Sequence, residues 1–276
     1  MDKIKVKVVD NDVKPCVLAI SGSDSGGNAG VQADLRMISS VYRLHCCTAI
    51  TALTAQNPFG VKSVLAADAA FVKDQIQQVL EVYNIVSVKT GMLGSRSVAE
   101  AVAEELARCK AVRKVVDPVM VATSGARLLD SDAIDIFKNA LLPLADVATP
   151  NIPEAQTLLG RTIPDSDAAL AEAAEELSKA TGTAILLKGG HSKNAPSCDY
   201  FFDRRRIIRY NLPRIENPVS THGTGCSLAS AVAAEFALGK DAAQAVECAK
   251  KTVYRAILAG YRVGADCGVL GMPERT

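Results

Sequence analysis

Cys16-Val17-Leu18-Ala19-Ile20 runs into Ser21-Gly22-Ser23-Asp24-Ser25-Gly26-Gly27-Asn28-Ala29-Gly30 and on into Val31-Gln32-Ala33-Asp34-Leu35. A short apolar run closed by a turn signal reads as a buried strand, and the small residues after it let a following helix pack tightly. The glycines at 22, 26, 27 and 30 allow a backbone to approach a ligand closely, although an ordinary strand-to-helix turn uses the same residues. Their spacing does not fit GxGxxG, so a dinucleotide fold is not indicated.

The same unit recurs along the chain. Further strands are expected at Cys47–Leu53, Ile85–Lys89, Lys114–Val116, Asp146–Ala148 and Ala184–Leu187. Between them, Val72, Ile76, Val79, Leu80 and Tyr83 share one helical face, as do Val98, Ala101, Val102 and Leu106, and Val246, Ala249, Val253 and Ile257. Such alternation predicts an α/β fold with a central, mostly parallel sheet and helices on both faces, a three-layer α/β/α sandwich. No repeat, low-complexity tract or linker interrupts it, so residues 1–276 read as a single domain with an N-terminal extension at 1–14 and a C-terminal tail at 261–276.

The bulk numbers fit. Hydrophobic residues make up 49% of the 276 and charged residues 22%, which suits a globular protein with a large core. A net charge of +1 leaves no footprint for nucleic acid or an anionic membrane, and no apolar run is long enough for a span. The 8 cysteines form no CxxC pair, which together with the lack of a signal sequence points to a reduced, cytoplasmic setting. His45-Cys46-Cys47 opens a strand without a partner pair and reads as core packing.

In sheets of this kind ligands bind beyond the carboxyl ends of the strands. Polar and glycine residues collect there: Ser21–Gly30, Thr54–Asn57, Thr90–Leu93, Asp117-Pro118, Thr149–Glu154 and Lys188-Gly189-Gly190. To these the chain adds Thr221-His222-Gly223-Thr224-Gly225-Cys226-Ser227, a glycine turn opening the apolar segment Leu228 to Leu238. Unpaired N–H groups at the positive end of a helix dipole attract anions, phosphate above all. No Lys-Ser/Thr pair completes a Walker sequence.

Each remaining candidate has a plainer reading. Asn151 suits a helix cap with Glu154 as a first-turn acid, and Asp117 suits a turn before proline. Two carboxylates at neighbouring strand ends, facing an anion cradle, would also suit a hydrated Mg²⁺. Lys188 is either solvated or a phosphate contact, and Gln56 is either a loop residue or a two-point partner for a heterocycle carrying a ring nitrogen beside an amino group.

Taken together, these segments resemble the hydroxymethylpyrimidine/phosphomethylpyrimidine kinases of thiamine biosynthesis, a branch of the ribokinase-like superfamily. The resemblance covers about residues 15 to 260 and rests on Gly22–Gly30 with Gln32–Leu35, Thr51–Asn57, Lys89–Leu93, Asp117–Met120, Thr149–Glu154, Lys188–His191 and Thr221–Cys226. It implies ATP-dependent phosphorylation of 4-amino-5-hydroxymethyl-2-methylpyrimidine and then of its monophosphate. Gly22, Asp34, Gln56, Met92 and Cys226 would line the pyrimidine pocket, with Gln56 reading the aminopyrimidine edge. Asp117 and Glu154 would organise Mg²⁺ through water, while Asn151, Lys188 and Thr224 would lie near the nucleotide phosphates. Gly223, Thr224, Gly225 and Cys226 would cradle the charge on the transferred group, with Lys188 beside them. Relatives commonly self-associate, so a homo-oligomer, a dimer, is also implied; a monovalent cation is left open. Small molecules are the expected partners.

Two departures matter. Asn28 stands where many members carry glycine, and Cys226 stands where sugar kinases of the superfamily carry an aspartate base. A thiol is a poor base at neutral pH unless cations lower its pKa, and loose phosphoryl transfer needs little base assistance. Cys226 therefore reads as a substrate contact whose backbone N–H matters more than its sulfur. Pyridoxal kinase activity, sole or second, is the nearest alternative; a non-catalytic sensor and a sugar kinase are the others. The segment 122–127 suits a mobile flap.

Overall fold

The computed structural model describes residues 13–120, 133–189 and 197–273. The expected flap at 122–127, most of the N-terminal extension, and Gly190 and His191 of the lysine–glycine motif lie outside the described residues.

Strand β1 spans Cys16–Asp24 and feeds α1 (Gly30–Leu35), which widens into a π-helical turn at Arg36–Val41. Next come β2 (His45–Asn57), β3 (Gly60–Ala66), α2 (Ala69–Val82), β4 (Ile85–Thr90), α3 (Arg96–Arg108) and β5 (Arg113–Val116). The short α4 (Ile134–Ile136) continues irregularly to Leu144, and β6 (Val147–Ala148), α5 (Ile152–Leu159), α6 (Asp167–Thr181) and β7 (Ala184–Lys188) follow. The chain closes with β8 (Ser197–Phe202), β9 (Ile207–Leu212), α7 (Thr224–Ala237), α8 (Ala242–Leu258), β10 (Tyr261–Gly264) and β11 (Cys267–Val269).

The sheet order is β3-β2-β1-β4-β5-β6-β7-β8-β9. From β2 through β7 every pairing is parallel, and β3, β8 and β9 add antiparallel edges. The expected α/β/α sandwich is therefore present. Alternation across each strand divides the core in two. Leu18, Ile20, Val88, Val116, Ile185 and Leu187 pack against α2, α3, α5 and α6. Val17, Val115, Val147, Ala184 and Leu186 face α7, α8 and the turn carrying Met37 and Ile38. Burial is nearly complete along α7, from Ser227 to Phe236, because the sheet covers one side of it and α8 the other.

Three expectations change. Thr54–Asn57, read as a loop, continues β2 and pairs with β3 in a hairpin, since β2 runs past the rest of the sheet. The antiparallel strands β3, β8 and β9 add to the expected set, with β3 and β9 forming the two edges of the sheet. The segment taken as a C-terminal tail folds as the β10–β11 hairpin and then packs inward. Leu270 is buried, its carbonyl accepts from Arg36 Nη2 at 3.0 Å, and a Cβ on Gly268 would meet the Val219 carbonyl at 2.3 Å. Among the described residues no helix is long and apolar enough to cross a membrane.

The connections place the site. The chain leaves β1 for β2 on one side, and the next parallel strand, β4, lies on the other side of β1. The following connections thus diverge around the carboxyl ends of β1 and β4 and open a crevice there.

Candidate active site

Helix caps show where the fold leaves backbone groups for a ligand. Asp68, Ser95, Ser166 and Asp241 each accept from first-turn N–H groups of α2, α3, α6 and α8. Helix α7 has no side-chain cap. Its N-cap is Gly223 at φ +82°, and a Cβ there would lie 1.8 Å from the Asn28 carbonyl, so only glycine lets the turn dock on the first loop. Gly225 and Cys226 are the next residues of that first turn, whose N–H groups lack intrahelical acceptors.

The opposite wall comes from β1, β4 and the hairpin. Gly22 N–H donates to the Met92 carbonyl at 3.1 Å, and Thr51 Oγ1 donates to the same oxygen at 2.6 Å. A Cβ on Gly22 would lie 2.9 Å from Met92 Sδ, so the missing side chain is what lets the thioether lie across the strand end. Gln56 is held through its backbone, its N–H donating to Ser25 Oγ at 2.8 Å and its carbonyl accepting from that hydroxyl at 2.7 Å. Thr54 Oγ1 donates to the Ser23 carbonyl at 2.9 Å and lies 3.2 Å from Gln56 Oε1.

Along the remaining side lie the charges. Lys188 Nζ donates to Asp117 Oδ1 at 2.9 Å and sits 4.0 Å from Glu154 Oε2. Thr149 Oγ1 donates to the same Asp117 oxygen at 2.8 Å. Asn151 and Glu154 form a reciprocal capping box on α5, each side chain accepting the other's N–H at 2.8 Å. The cap expected for Asn151 is thus present, and its carboxamide oxygen serves the helix. Burial, reinforced by Asp117 and opposed by Lys188, pushes the Glu154 carboxyl up to about 7. Burial works against the Lys188 ammonium, but Asp117 and Glu154 outweigh it and raise its pKa.

One cavity is lined by Gly22, Gln56, Met92, Asp117, Asn151, Glu154, Lys188 and the turn Gly223–Cys226. Residues from six strand ends and the α7 terminus, spread over about two hundred positions, converge there. Asp34 does not. Its side chain is 0% exposed, buried below the floor, where Lys89 Nζ bonds both carboxylate oxygens at 2.7 and 2.8 Å and Ser230 Oγ donates to Oδ1 at 2.7 Å. The expectation that Asp34 lines the pocket is corrected: from α1 it points into the sheet–α7 interface, where Lys89 compensates its charge. Burial disfavours the Lys89 ammonium, and Asp34 more than offsets this, so its pKa is raised.

The Cys226 thiol is raised by burial, against a lowering by Lys89 whose charge Asp34 largely spends. Burial thus disfavours the thiolate. Asp24, Lys89 and His222 are the functional neighbours that no local pattern marks: Asp24 and His222 are lone charged or titratable residues beside glycine turns, and Lys89 is a single lysine within a buried strand. Asp24 accepts N–H bonds from Gly26, Asn28 and Ala29 at 2.8, 3.0 and 2.9 Å and so shapes the first loop.

The uncapped α7 terminus shares its cavity with Asp117, Glu154, Lys188, Met92 and the Gln56 amide, within the ribokinase-like fold of a small-molecule phosphotransferase. The sequence profile of the phosphomethylpyrimidine kinase family matches residues 24–271, and the chain belongs to that family. It is 43% identical over 246 residues to the hydroxymethylpyrimidine/phosphomethylpyrimidine kinase of Rhizobium meliloti, covering 89% of this chain and 91% of that one. To a thiamine biosynthesis bifunctional protein of Geobacter sulfurreducens it is 42% identical over 252 residues, 91% of this chain; the chain spans 51% of that relative's length. The pyridoxal kinase of Bacillus subtilis, solved as an ADP complex, superposes with a TM-score of 0.86 at 28% identity, over 94% of this chain and 97% of that one.

Proposed function

We propose that this protein transfers the ATP γ-phosphoryl group to the hydroxymethyl oxygen of 4-amino-5-hydroxymethyl-2-methylpyrimidine, and then a second one to the monophosphate. The observation that carries this reading is the single cavity shared by Gln56 and Met92 on one wall and by Lys188, Asp117 and the uncapped α7 terminus on the other. One wall suits a flat heterocycle with donor and acceptor edges; the other suits a triphosphate. A single domain organised around one continuous sheet is the corresponding domain reading.

In this reading Met92 packs on the ring, the Gln56 amide pairs with the aminopyrimidine edge, and Gly22 leaves room for both. Lys188 and Thr224 contact nucleotide phosphates, with Asn151 beside them, and the N–H groups of Gly225 and Cys226 face the charge that develops on the transferred group. Asp117 and Glu154 would hold Mg²⁺ largely through water. Both carboxylates lie beside Lys188, at 2.9 and 4.0 Å, and one or two carboxylates together with phosphate oxygens and waters suffice for Mg²⁺. The ion would supply charge compensation between the phosphates. The Cys226 thiol contacts the acceptor and leaves positioning to do most of the catalysis.

Pyridoxal kinase activity is the second reading, favoured by the close superposition on the Bacillus subtilis enzyme. Higher identity to the Rhizobium meliloti kinase, 43% against 28%, and the amide at Gln56 favour the aminopyrimidine. Steady-state kcat/KM for both acceptors decides it. The pyrimidine is expected to be preferred, and a preference for pyridoxal above about tenfold overturns the choice. A homodimer, with the exposed β3 edge as part of its interface, completes the proposal.

A further inference from the structure

His222 lies inside the phosphate-cradling turn, immediately before Gly223, and its side chain, 15% exposed, lines the same cavity as Gln56 and Cys226. Its backbone N–H donates to Ser220 Oγ at 3.1 Å. Its Nε2 stands 3.8 Å from Asp24 Oδ2. Three backbone N–H groups fix that carboxylate, so it cannot turn away from the imidazole. Burial presses the Asp24 carboxyl upward, yet His222 and those N–H groups together hold it below the usual range. The docking of Gly223 on the Asn28 carbonyl locks turn and first loop into one unit, so the imidazole is held in place from both sides.

Charge around the cavity is unevenly shared. Lys188 is committed to Asp117 and Glu154 on the wall where a nucleotide would lie. Among the described lining residues, the other side chain able to carry positive charge is His222, and it stands beside the first loop. The two proposed acceptors differ in charge at this place. The first is a neutral alcohol; the second is a phosphate monoester carrying nearly two negative charges at neutral pH. A pocket that takes both needs a cation at the acceptor oxygen in the second transfer and gains less from it in the first.

We infer that His222, oriented by Asp24, binds the phosphate of the monophosphate acceptor and is the residue that fits this site to the second transfer. In that step an ionised acceptor-phosphate oxygen forms the bond to the γ-phosphorus. The bond from that phosphorus to the β–γ bridging oxygen breaks, and ADP leaves with the electron pair. No proton has to be removed from the acceptor, and the imidazole N–H donates to phosphate oxygens that the alcohol does not bring. The inference rests on the proposed function and assigns its second step a recognition residue.

The test is kcat and KM measured separately for the alcohol and for the monophosphate, using wild type, His222→Gln and His222→Lys. His222→Gln is expected to reduce kcat/KM for the monophosphate by about tenfold to a hundredfold more than for the alcohol, chiefly through KM, the scale of a charge-assisted contact. His222→Lys, which places a cationic donor at the same position, is expected to recover the monophosphate to within several-fold of wild type. Should His222→Gln fail to fold by circular dichroism, His222→Asn serves as the neutral variant. Equal losses for the two acceptors, or no recovery with lysine, overturn the inference alone. A wild-type protein inactive on both acceptors overturns the function itself.

Discussion

Replacing Lys89 with methionine keeps the chain length of the side chain and removes its charge, which strands Asp34 in the interior. Both side chains are 0% exposed, and Lys89 supplies two of the three hydrogen bonds to the carboxylate, leaving Ser230 as the remaining donor. Breaking a buried pair on one side costs about 3–5 kcal/mol. An independent bound follows because the stranded carboxyl has the option of taking a proton. From an ordinary pKa of about 3.9, holding it neutral costs about 1.4 kcal/mol per pH unit, hence about 4 kcal/mol at pH 7 and about 1.5 kcal/mol at pH 5. The sign follows from linkage: a carboxyl whose folded pKa is raised has its full stability below the unfolded value and loses it as pH rises. The defect must therefore shrink in acid. For a chain of 276 residues the unfolding entropy is about 0.6 kcal/mol per kelvin, so the pH 7 loss lowers Tm by roughly 7 °C. Denaturant unfolding at pH 5 and pH 7 reads the difference directly, and Lys89→Met combined with Asp34→Leu is expected to recover most of the loss. A Lys89→Met variant within about 1 kcal/mol of wild type at pH 7, or equally destabilised at both pH values, would refute the account of this pair.

The Glu154 carboxyl, pushed up to about 7, contributes stability that is present below its ordinary range and lost as pH rises through 7. Thermal melts of metal-free protein between pH 5 and pH 8 are expected to show that decline, and Glu154→Gln is expected to flatten it; an unchanged slope counts against the buried, neutral carboxyl. Cys226→Ser, which keeps the backbone cradle, is expected to alter KM for the acceptor more than kcat, with kcat within about tenfold of wild type. A thousandfold fall in kcat at constant KM would make the thiol chemically essential. Lys188→Met is expected to lower kcat by about a hundredfold or more, because it removes the cation between Asp117, Glu154 and the nucleotide phosphates; a loss under threefold removes Lys188 from the phosphate site. Along β3, Leu65 is 68% exposed and Val64 45%, and Phe59 at the tip of the hairpin is 72% exposed. Leu65→Lys is expected to turn a dimer into a monomer in sedimentation analysis, and a wild-type monomer at micromolar concentration ends the dimer proposal.

Much of the fold was legible because its signals are local. The strand at Cys16, the helical faces through Val72 and Val98, and the polar strand ends at Asp117 and Lys188 each declare themselves within a dozen residues. The edge strands were not, since β9 alternates half-buried and exposed residues and β3 is exposed over nearly all its length, leaving neither with the apolar run that marks a buried strand. Most proposed site residues do meet at one opening, as strand-end position suggested. Asp34 was misplaced for a definite reason: sequence shows that a carboxylate follows the glycine loop, but not that Lys89, 55 positions away, waits below the floor to neutralise it.

By itself, then, the sequence determined the alternation of strand and helix, the collection of polar residues at strand ends, and the glycine turn into α7, because periodicity, turn chemistry and capping act between near neighbours. Only the tertiary structure decided which strand lies beside which, that the crevice opens between β1 and β4, and which charges are solvated or spent. Those depend on contacts between residues far apart in the chain, where burial sets the cost of a charge and a partner from another element either offsets it or does not. Asp34 and His222 carry that lesson in opposite directions: one left the site on folding, and the other entered it.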